Sequence, residues 1–278
     1  MRIDPAIGAL RSDRHAQRRA RAALRAASDG WATSEATARV IADLARFGDG
    51  APLGGCPALF GLFCETKAAP RLVAALVQAL CTALAREPLG HPALRHGYER
   101  GTSTLLLAHR GRAQLVLCSR EPGRRSFRGV TFGDGQRFDA VLAGQATARI
   151  VHRSGPSGSF REQPLALAGG VRLALDRRQE ALQVLEVERR LVSLRLDRAA
   201  FEAEPSREYD LASGALLRQC AGDARTSRQE VMLAVLGRMA RADAAPVMAG
   251  IARERGDASL RWQALRECLA LDTRPGFV

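Results

Sequence analysis

Short apolar runs separated by turn residues dominate the chain between residues 102 and 198. Glycine, proline and charged residues break the pattern at regular intervals, for example at Gly133-Asp134-Gly135 and at Gly169-Gly170. Runs of this length with turn chemistry at each break predict an antiparallel β-barrel or sandwich. The nine predicted strands are Thr104–Ala108, Gln114–Cys118, Phe127–Phe132, Arg137–Leu142, Thr147–His152, Phe160–Leu167, Val171–Leu175, Leu182–Val187 and Leu191–Leu196.

Apolar residues at helical spacing predict helices on both sides of the strands. We therefore predict an α+β fold with a helical N-terminal region (1–100), a central antiparallel β-barrel or sandwich (101–200) and a helical C-terminal region (206–278). The predicted helices are Asp13–Ala27, one that opens at Thr33-Ser34, Arg71–Arg86, Leu211–Ala221, Arg228–Ala240, Ala244–Glu254 and Leu260–Leu271, while Ala58–Cys64 fits either a helix or a strand.

The end of the chain resembles HEAT-type helical repeats. The resemblance rests on Asp257, Arg261, Ala264 and Leu265. In that family a small residue lets paired helices approach, and a capping aspartate and an arginine tie neighbouring turns together. The resemblance implies HEAT-like helical hairpins that present a protein-binding surface. About one to two repeats fit in this part of the chain, whereas independent solenoids need about three.

The β-block resembles a cupin-like β-barrel. The similar stretches are Val141–Ala146, Pro164–Val171 and Leu185–Leu196. The first metal motif of cupins needs two histidines flanking one residue, followed by a glutamate, and the second motif needs another histidine. The corresponding windows, Arg137–Ala140 and Arg172–Asp176, contain no histidine. The resemblance therefore implies a cupin-like core that has lost the usual metal site.

The chain carries a formal net charge of +13, from 42 lysines and arginines against 29 aspartates and glutamates. Such an excess invites nucleic acid as a partner. However, Lys67 is the only lysine, and aromatic residues that stack on bases make up only 5% of the chain. The use of arginine instead of lysine indicates a high-GC coding bias. We expect a protein partner rather than nucleic acid or a membrane, and the oligomeric state is left open.

The sequence also bears on the cellular compartment. It contains no unbroken run of about 18 apolar residues, so no transmembrane helix is expected. The first residues, Met1–Pro5, lack the apolar core of a signal peptide. The six cysteines are scattered without a C-x-x-C pair, which is typical of reduced cysteines. We therefore expect a cytoplasmic protein.

Motifs for catalysis or metal binding are missing from the sequence. Cys56 and Cys64 have no local nucleophile signature, and no serine lies in a G-x-S-x-G elbow. His109 and His152, at predicted strand ends, are weak metal candidates, with Glu99 or Asp139 as possible carboxylate partners. We predict no catalytic residue, no bound metal and no cofactor.

Two groups of polar residues are candidates for ligand binding. One group is predicted to face into the barrel mouth and could contact a small molecule there. A second group lies at predicted β-turns and could form an anion-attracting rim, but the arginine-rich composition favours ordinary solvated turn charge as the explanation. The first group is Gln114, Arg137, Arg149 and His152, and the second is Arg124, Arg125, Arg128, Arg177 and Arg178.

Three functional hypotheses follow. The leading one is a non-catalytic binding or adaptor protein that uses a degenerate cupin-like core as scaffold and the helical tail as contact surface. The first alternative is a cupin-like enzyme or small-molecule sensor, with a ligand inside the barrel, and it requires the inward-facing polar residues to converge on a concave pocket. The second alternative is arginine-mediated nucleic-acid binding, with an affinity that falls steeply with salt.

Overall fold

The computed structural model of the chain describes residues 14–155, 159–201, 204–255 and 257–272, and it combines α-helices with antiparallel β-sheets. The helices are α1 (His15–Thr33), α2 (Glu35–Gly48), α3 (Pro57–Cys64), α4 (Ala68–Arg86), α5 (Ala224–Arg238), α6 (Ala245–Arg253) and α7 (Ala258–Leu271). The strands are β1 (His96–Glu99), β2 (Thr102–Arg110), β3 (Ala113–Arg120), β4 (Gly123–Arg124), β5 (Gly129–Phe132), β6 (Gln136–Ser154), β7 (Ser159–Ala168), β8 (Arg172–Asp176), β9 (Glu180–Arg198), β10 (Ser206–Asp210) and β11 (Leu216–Cys220).

Helices α1 to α4 pack on one face of the main sheet and share a single apolar core with it. Leu24, Leu44 and Phe47 come from the helices, and Leu115 and Leu194 come from the sheet. All five side chains are almost completely buried, and burial of this kind is the main force that holds the layers together. The predicted helical region and the strands therefore contribute to one core.

Helix α1 continues past its predicted end at Ala27. Ser28 donates its hydroxyl to the carbonyl oxygen of Leu24, so it does not stop the helix. The indole of Trp31 is buried and donates to the carbonyl oxygen of Leu72 at 3.1 Å. Because Trp31 joins α1 to α4, tertiary packing overrides the stop signal. The ambiguous segment after the second helix is the helix α3.

Helix α4 is long and apolar enough to cross a membrane by length and composition, with a mean hydropathy of 1.6 over 18 residues. It contains no unbroken apolar run of about 18 residues, because Arg71 and Gln78 interrupt its apolar residues. One face of α4 lies in the core through Leu72, Leu76 and Leu80. Core helices of soluble proteins can have the same length and composition, so these two properties alone do not make α4 a membrane-spanning helix.

The main sheet has the strand order β1-β2-β3-β9-β6-β7, with β8 paired to β6 and β4 paired to β9. Strands β6 and β9 are each 19 residues long and pair along most of their length. Each one merges two predicted strands, so the breaks predicted inside them are wrong. The irregular residues are absorbed as register shifts between Val141 and Ala148 instead of ending the strands.

The register shifts bend the long strands, because an extra residue in one strand kinks the ladder. Gly144 lies at the bend with a φ of 97°, and a Cβ atom there would lie 2.2 Å from the carbonyl oxygen of Arg190. We call the sheet face opposite the helices the inner face. Cys118, Asp139 and Ser193 of this face are at most 3% exposed although no helix covers them, so the bent sheet covers part of its own face.

Of the two predicted arrangements, a barrel or a sandwich, the described strands do not form a closed barrel. Strands β1 and β7 are the two ends of the strand order, and no described strand joins them. Strand β1 has only four residues, all of them exposed, and it pairs with β2 alone. The β-core is therefore an open, bent antiparallel sheet.

A small sheet, in the order β11-β10-β5, packs against the main sheet. Phe132 and Tyr209 from this sheet contact Val151 and Phe160 of the main sheet. The helix predicted over residues 211–221 is wrong, because β10 and β11 form a hairpin there. The carboxylate of Asp210 accepts hydrogen bonds from the backbone N–H groups of the next residues, which closes the turn and leaves β10 free to pair with β5.

Helices α5, α6 and α7 form a separate small core around Leu233, Met248 and Ala264. Helix α7 lies between the other two, since it contacts both. Asp257 caps α7 by accepting from the N–H of Leu260, and the Nε of Arg261 donates to the carbonyl oxygen of Ala252. Assignment of these helices to HEAT-type repeats stays a prediction.

The start of α5 differs from its predicted position. The helix begins at Ala224 because the side chain of Asp223 accepts hydrogen bonds from the N–H groups of Arg225 and Thr226. Ser227, which precedes the predicted helix start at Arg228, therefore lies inside the first turn instead of capping it. Aspartate and serine are about equally good helix caps, so residue type alone does not determine where α5 begins. The two hydrogen bonds accepted by Asp223 place the start at Ala224.

Candidate functional site

Strand register places polar side chains of three neighbouring strands together on the inner face. Arg195 of β9 pairs with Asp139 of β6, and Cys118 of β3 pairs with Ser193 of β9. Residues two positions apart on a strand share a face, so Arg137 lies beside Asp139. The inner face therefore combines an apolar sheet layer with a buried polar cluster.

Asp139 is the centre of this cluster. Its carboxylate accepts hydrogen bonds from the Nε of Arg137 at 2.5 Å and from the Nε of Arg195 at 3.3 Å. The Asp139 side chain is 4% exposed, and the side chains of the two arginines are each 17% exposed. One carboxylate thus lies between two guanidinium groups, and the three side chains together carry one excess positive charge.

The same cluster holds hydrogen-bond donors without acceptors. Among the described residues, the Nη2 atoms of Arg137 and Arg195 and the hydroxyl of Ser193 are buried and have no hydrogen-bond partner. A buried donor left unpaired costs about 1–3 kcal/mol, so folded proteins contain few of them. Three of them therefore make this cluster an unusual concentration of unpaired donors.

Arg120 adds a third guanidinium group, two residues after Cys118 on the same face of β3. It makes no side-chain hydrogen bond or ion pair with the described residues. Burial, followed by repulsion from Arg195 and Arg137, lowers the pKa of Arg120 to about 10. A lowered arginine pKa means that the fold disfavours this charge, which remains present at neutral pH. Arg120 is therefore a positive charge without a direct partner among the described residues.

Asp139 is ionised despite its burial. Burial alone would raise the pKa of its carboxyl group, but the attraction of Arg137 and Arg195 outweighs this and holds the pKa below its usual value. Burial likewise disfavours the charge of Arg195, but Asp139 outweighs it and raises the pKa of Arg195. The carboxylate is thus committed to two arginines and is not free to act as a base.

A cavity of about 480 Å³ opens at the β1–β2 edge of the main sheet. Thr102 and Thr104 of β2 line it, and their strand partners on β3 are Arg120 and Cys118. The hydroxyl of Thr102 accepts from Arg125 Nη1 at 3.0 Å, which leaves its own proton free to donate. The other lining residues are Gly97, Tyr98, Glu99 and Arg100. Arg120 does not line the cavity but is the strand partner of Thr102, so a small molecule there would meet the Thr102 hydroxyl one strand away from that guanidinium.

The structure brings together some of the predicted ligand-binding residues and separates others. Gln114 and Arg137 lie in one row of the inner face, on either side of Asp197. His152 lies at the far end of β6, where its ring contacts Glu180 and Gln163. Arg149 lies three residues before His152 and therefore faces the other side, where it contacts Gln183 and Glu162. The four residues do not converge on one pocket.

Most arginines of the predicted anion-attracting rim have partners of their own. The ion pairs are Arg124 with Glu186, Arg128 with Asp210 and Arg178 with Asp134. Arg125 donates to Thr102 and to the carbonyl oxygen of Gly101, and Arg177 lies against Gly133. Hydrogen bonds or ion pairs thus occupy four of the five guanidinium groups, so the arrangement does not support a single free rim.

The weak metal candidates also lie apart. His109 is exposed at the edge of the inner face, beside Gln114, whereas His152 is at the opposite end of β6. Asp139, the proposed carboxylate partner, is already held by two arginines. Within the described ranges, no three side chains of histidine, cysteine, aspartate or glutamate gather in a way that could hold a metal ion.

Sequence reasoning missed Arg120, Arg195 and Ser193. The available signal was alternation, because Ser193 and Arg195 occupy every second position among buried leucines of β9. That pattern is typical of a strand with one solvated face, and it hides a polar cluster that only the strand register brings together.

The reactivity of the cysteines tests whether the inner face is covered. Cys64, Cys81 and Cys220 are exposed, whereas Cys56, Cys118 and Cys268 are buried. Burial also raises the pKa of the Cys118 thiol, which further slows its reaction. We expect a thiol reagent to modify the three exposed cysteines rapidly in the native protein and the other three only on unfolding. Rapid modification of Cys118, located by peptide mass spectrometry, would contradict the covered inner face.

Comparisons with known proteins leave the chain without an assigned family. No family model and no curated protein matches it. Solved structures that resemble part of it include the 7S globulin of Momordica charantia, with 9% identity, a TM-score of 0.32 and coverage of 42% of this chain and 35% of that chain. The chain thus spans about a third of that protein.

Two further likenesses are equally distant. An oxalate decarboxylase of Bacillus subtilis has 12% identity and a TM-score of 0.31, covering 38% of this chain and 28% of that chain. Drosophila melanogaster CENP-C, in a structure bound to CAL1, has 13% identity and a TM-score of 0.30, covering 37% of this chain and 80% of that chain. TM-scores near 0.3 do not establish a shared fold. The class that the structure itself defines is a mixed protein of helices and antiparallel sheets.

Proposed function

We propose that the chain binds a small anionic molecule, with a carboxylate or phosphate group, at the inner face beside Arg120. The observation that supports this most strongly is the charge balance of the buried cluster. Three guanidinium groups surround one carboxylate, and three buried donors lack acceptors. An anion would supply both the missing charge and the missing acceptors. This is the ligand-binding alternative drawn from the sequence, with a different set of contact residues.

In this proposal each residue has a distinct part. Arg120 contacts the anion from β3, and the hydroxyl of Thr102 donates to it from β2. Asp139 holds Arg137 and Arg195 in place on the same face of the sheet as Arg120. Glu99 and Arg100 line the cavity mouth and favour a ligand that carries a polar group besides its anionic one. No step of catalysis is part of the proposal.

Replacement of Arg120 tests the proposal, because a charge that serves to bind a ligand destabilises the ligand-free protein. We expect Arg120→Met to stabilise the ligand-free protein by roughly 1–3 kcal/mol, since it removes an uncompensated buried charge and keeps the length of the side chain. Urea unfolding measures this change. The matched control is Arg124→Met, at an exposed arginine, which should change stability by less than about 0.5 kcal/mol.

The same variants test binding by thermal unfolding in phosphate, sulfate, citrate and succinate at constant ionic strength. We expect at least one anion to raise the melting temperature of the natural chain by roughly 4 °C or more near 100 times its Kd. Arg124→Met should respond equally, and Arg120→Met should lose the response. An equal response in Arg120→Met, or no response in the natural chain together with unchanged stability of Arg120→Met, would overturn the proposal.

We propose as a second function the adaptor role, with a protein partner on the C-terminal helices and a cytoplasmic location. The specific observation is that α5 exposes large apolar side chains to solvent, among them Val231 at 61% and Met232 at 54% exposure. Contiguous apolar surface of this kind often marks an interaction site. The six free cysteines support a reducing compartment.

A further inference from the structure

Helix α5 carries an apolar stripe on the side that faces away from the rest of the chain. We define the α5 stripe as Val231, Met232, Val235 and Met239, whose exposures run from 48% to 61%. Val235 follows Val231 by four residues and Met232 by three, and Met239 follows Val235 by four, so these side chains lie on one side of the helix, with Met239 just past its end. The stripe is therefore continuous rather than four scattered residues.

The opposite side of α5 is already used for packing. Leu233 is buried in the core of the C-terminal helices, and Gln263 of α7 donates to the carbonyl oxygen of Glu230. Because α7 holds α5 from that side, the stripe cannot turn inward without breaking this core. The helix therefore presents a preformed apolar surface, and a partner need not order it on binding.

Charges at the two ends of the stripe are positive. Arg228 and Arg238 are exposed, and among the described residues no carboxylate lies within ion-pair distance of either guanidinium. The only acidic residue of α5 is Glu230, which is partly buried on the α7 side. A partner with acidic residues beside its apolar ones would match both features of this surface.

We infer that the α5 stripe docks an acidic amphipathic helix of another protein, with its apolar residues on the stripe and its carboxylates near Arg228 and Arg238. This inference rests on the adaptor function proposed above and is independent of the anion site. A second copy of the chain fits less well, because antiparallel pairing of two α5 helices would bring the arginine at one end close to the arginine at the other. The net charge of +13 adds to that repulsion.

An anionic membrane is the other surface that a basic apolar helix could meet. The stripe consists of valine and methionine, and it lacks the tryptophan, phenylalanine and leucine that anchor interfacial helices. It is also short, because it occupies the C-terminal half of α5. These features favour a protein helix over a lipid surface.

Fluorescence anisotropy with two labelled peptides tests the inference on the full chain. One peptide is an amphipathic helix with leucine on one face and glutamate on the other, and the second has lysine in place of each glutamate. We expect the acidic peptide to bind the natural chain with one site. Met232→Glu and the double variant Arg228→Glu/Arg238→Glu should each weaken it by roughly tenfold or more. Val247→Glu, at an exposed valine of α6, is the control and should leave binding unchanged.

The other outcomes overturn the inference in distinguishable ways. If the lysine peptide binds equally well and Met232→Glu abolishes it, the acidic partner is wrong but the adaptor function stands. If neither peptide binds, the adaptor role of this helix fails with it. Binding to vesicles of anionic phospholipid without peptide binding, or a dimer in sedimentation velocity that Met232→Glu dissociates, would assign the stripe to a membrane or to a second copy.

Discussion

Asp139→Asn should lower the free energy of unfolding by about 3–5 kcal/mol, although the amide occupies nearly the same volume as the carboxylate. The substitution leaves Arg137, Arg195 and Arg120 as three buried guanidinium groups without a countercharge, and removal of one partner from a buried ion cluster exposes its full desolvation cost. Urea unfolding at neutral pH measures the change. Asp29→Asn, at an exposed aspartate of α1, is the control and should change stability by less than about 0.5 kcal/mol.

The sign of the pH dependence follows from the same carboxylate. Its pKa is lower in the folded chain than the unfolded value of about 3.9. The stability that Asp139 contributes is therefore complete above about pH 4 and is lost as the pH falls toward the folded pKa. The natural chain should lose stability more steeply than Asp139→Asn on acidification below that pH. Parallel curves for the two proteins would show that Asp139 is not ionised in the fold.

Gly144→Ala should cost roughly 3 kcal/mol or more, because the new Cβ atom would lie 2.2 Å from a backbone oxygen at the bend of the sheet. The bend would have to open, and Cys118 should then react with thiol reagents in the native protein. Gly170→Ala is a close control. Its φ of 100° matches the 97° of Gly144, but no atom lies within 4 Å of the added carbon.

The difference between the two alanine variants isolates the backbone clash, since both pay the conformational strain of a positive φ. We expect Gly170→Ala to lose roughly 1–3 kcal/mol and to keep Cys118 protected. Equal losses in the two variants, with Cys118 unreactive in both, would mean that Gly144 does not set the bend that covers the inner face.

Alternation predicted most strands of the central sheet, because one face of β2, β3, β6 and β9 lies on the helices and the pattern of Leu194 and Leu196 reports that burial directly. It did not predict that β6 and β9 continue through their irregular middles, since glycine and charged residues occur both in β-bulges and in turns. The β10–β11 hairpin was predicted as a helix because its apolar residues are too few to define a period.

The candidate site was predictable only in part. Arg137 was singled out for its position on an inward-facing strand, and it does lie in the cluster. Arg120 and Arg195 lie 75 residues apart in sequence and come together only through the pairing of β3 with β9. Register between distant strands depends on the bend and on the helices packed outside it, so no local pattern near either arginine contains that information.

Isothermal titration calorimetry of the natural chain, with the anion that raises its melting temperature most, tests the central claim most directly. Binding at the inner face predicts one site per chain, an affinity lost in Arg120→Met, and an unchanged affinity in Arg124→Met. Equal binding to Arg120→Met, or several weak sites per chain that vanish as salt is added, would mean that general positive charge attracts the anion and that the inner face is not a binding site.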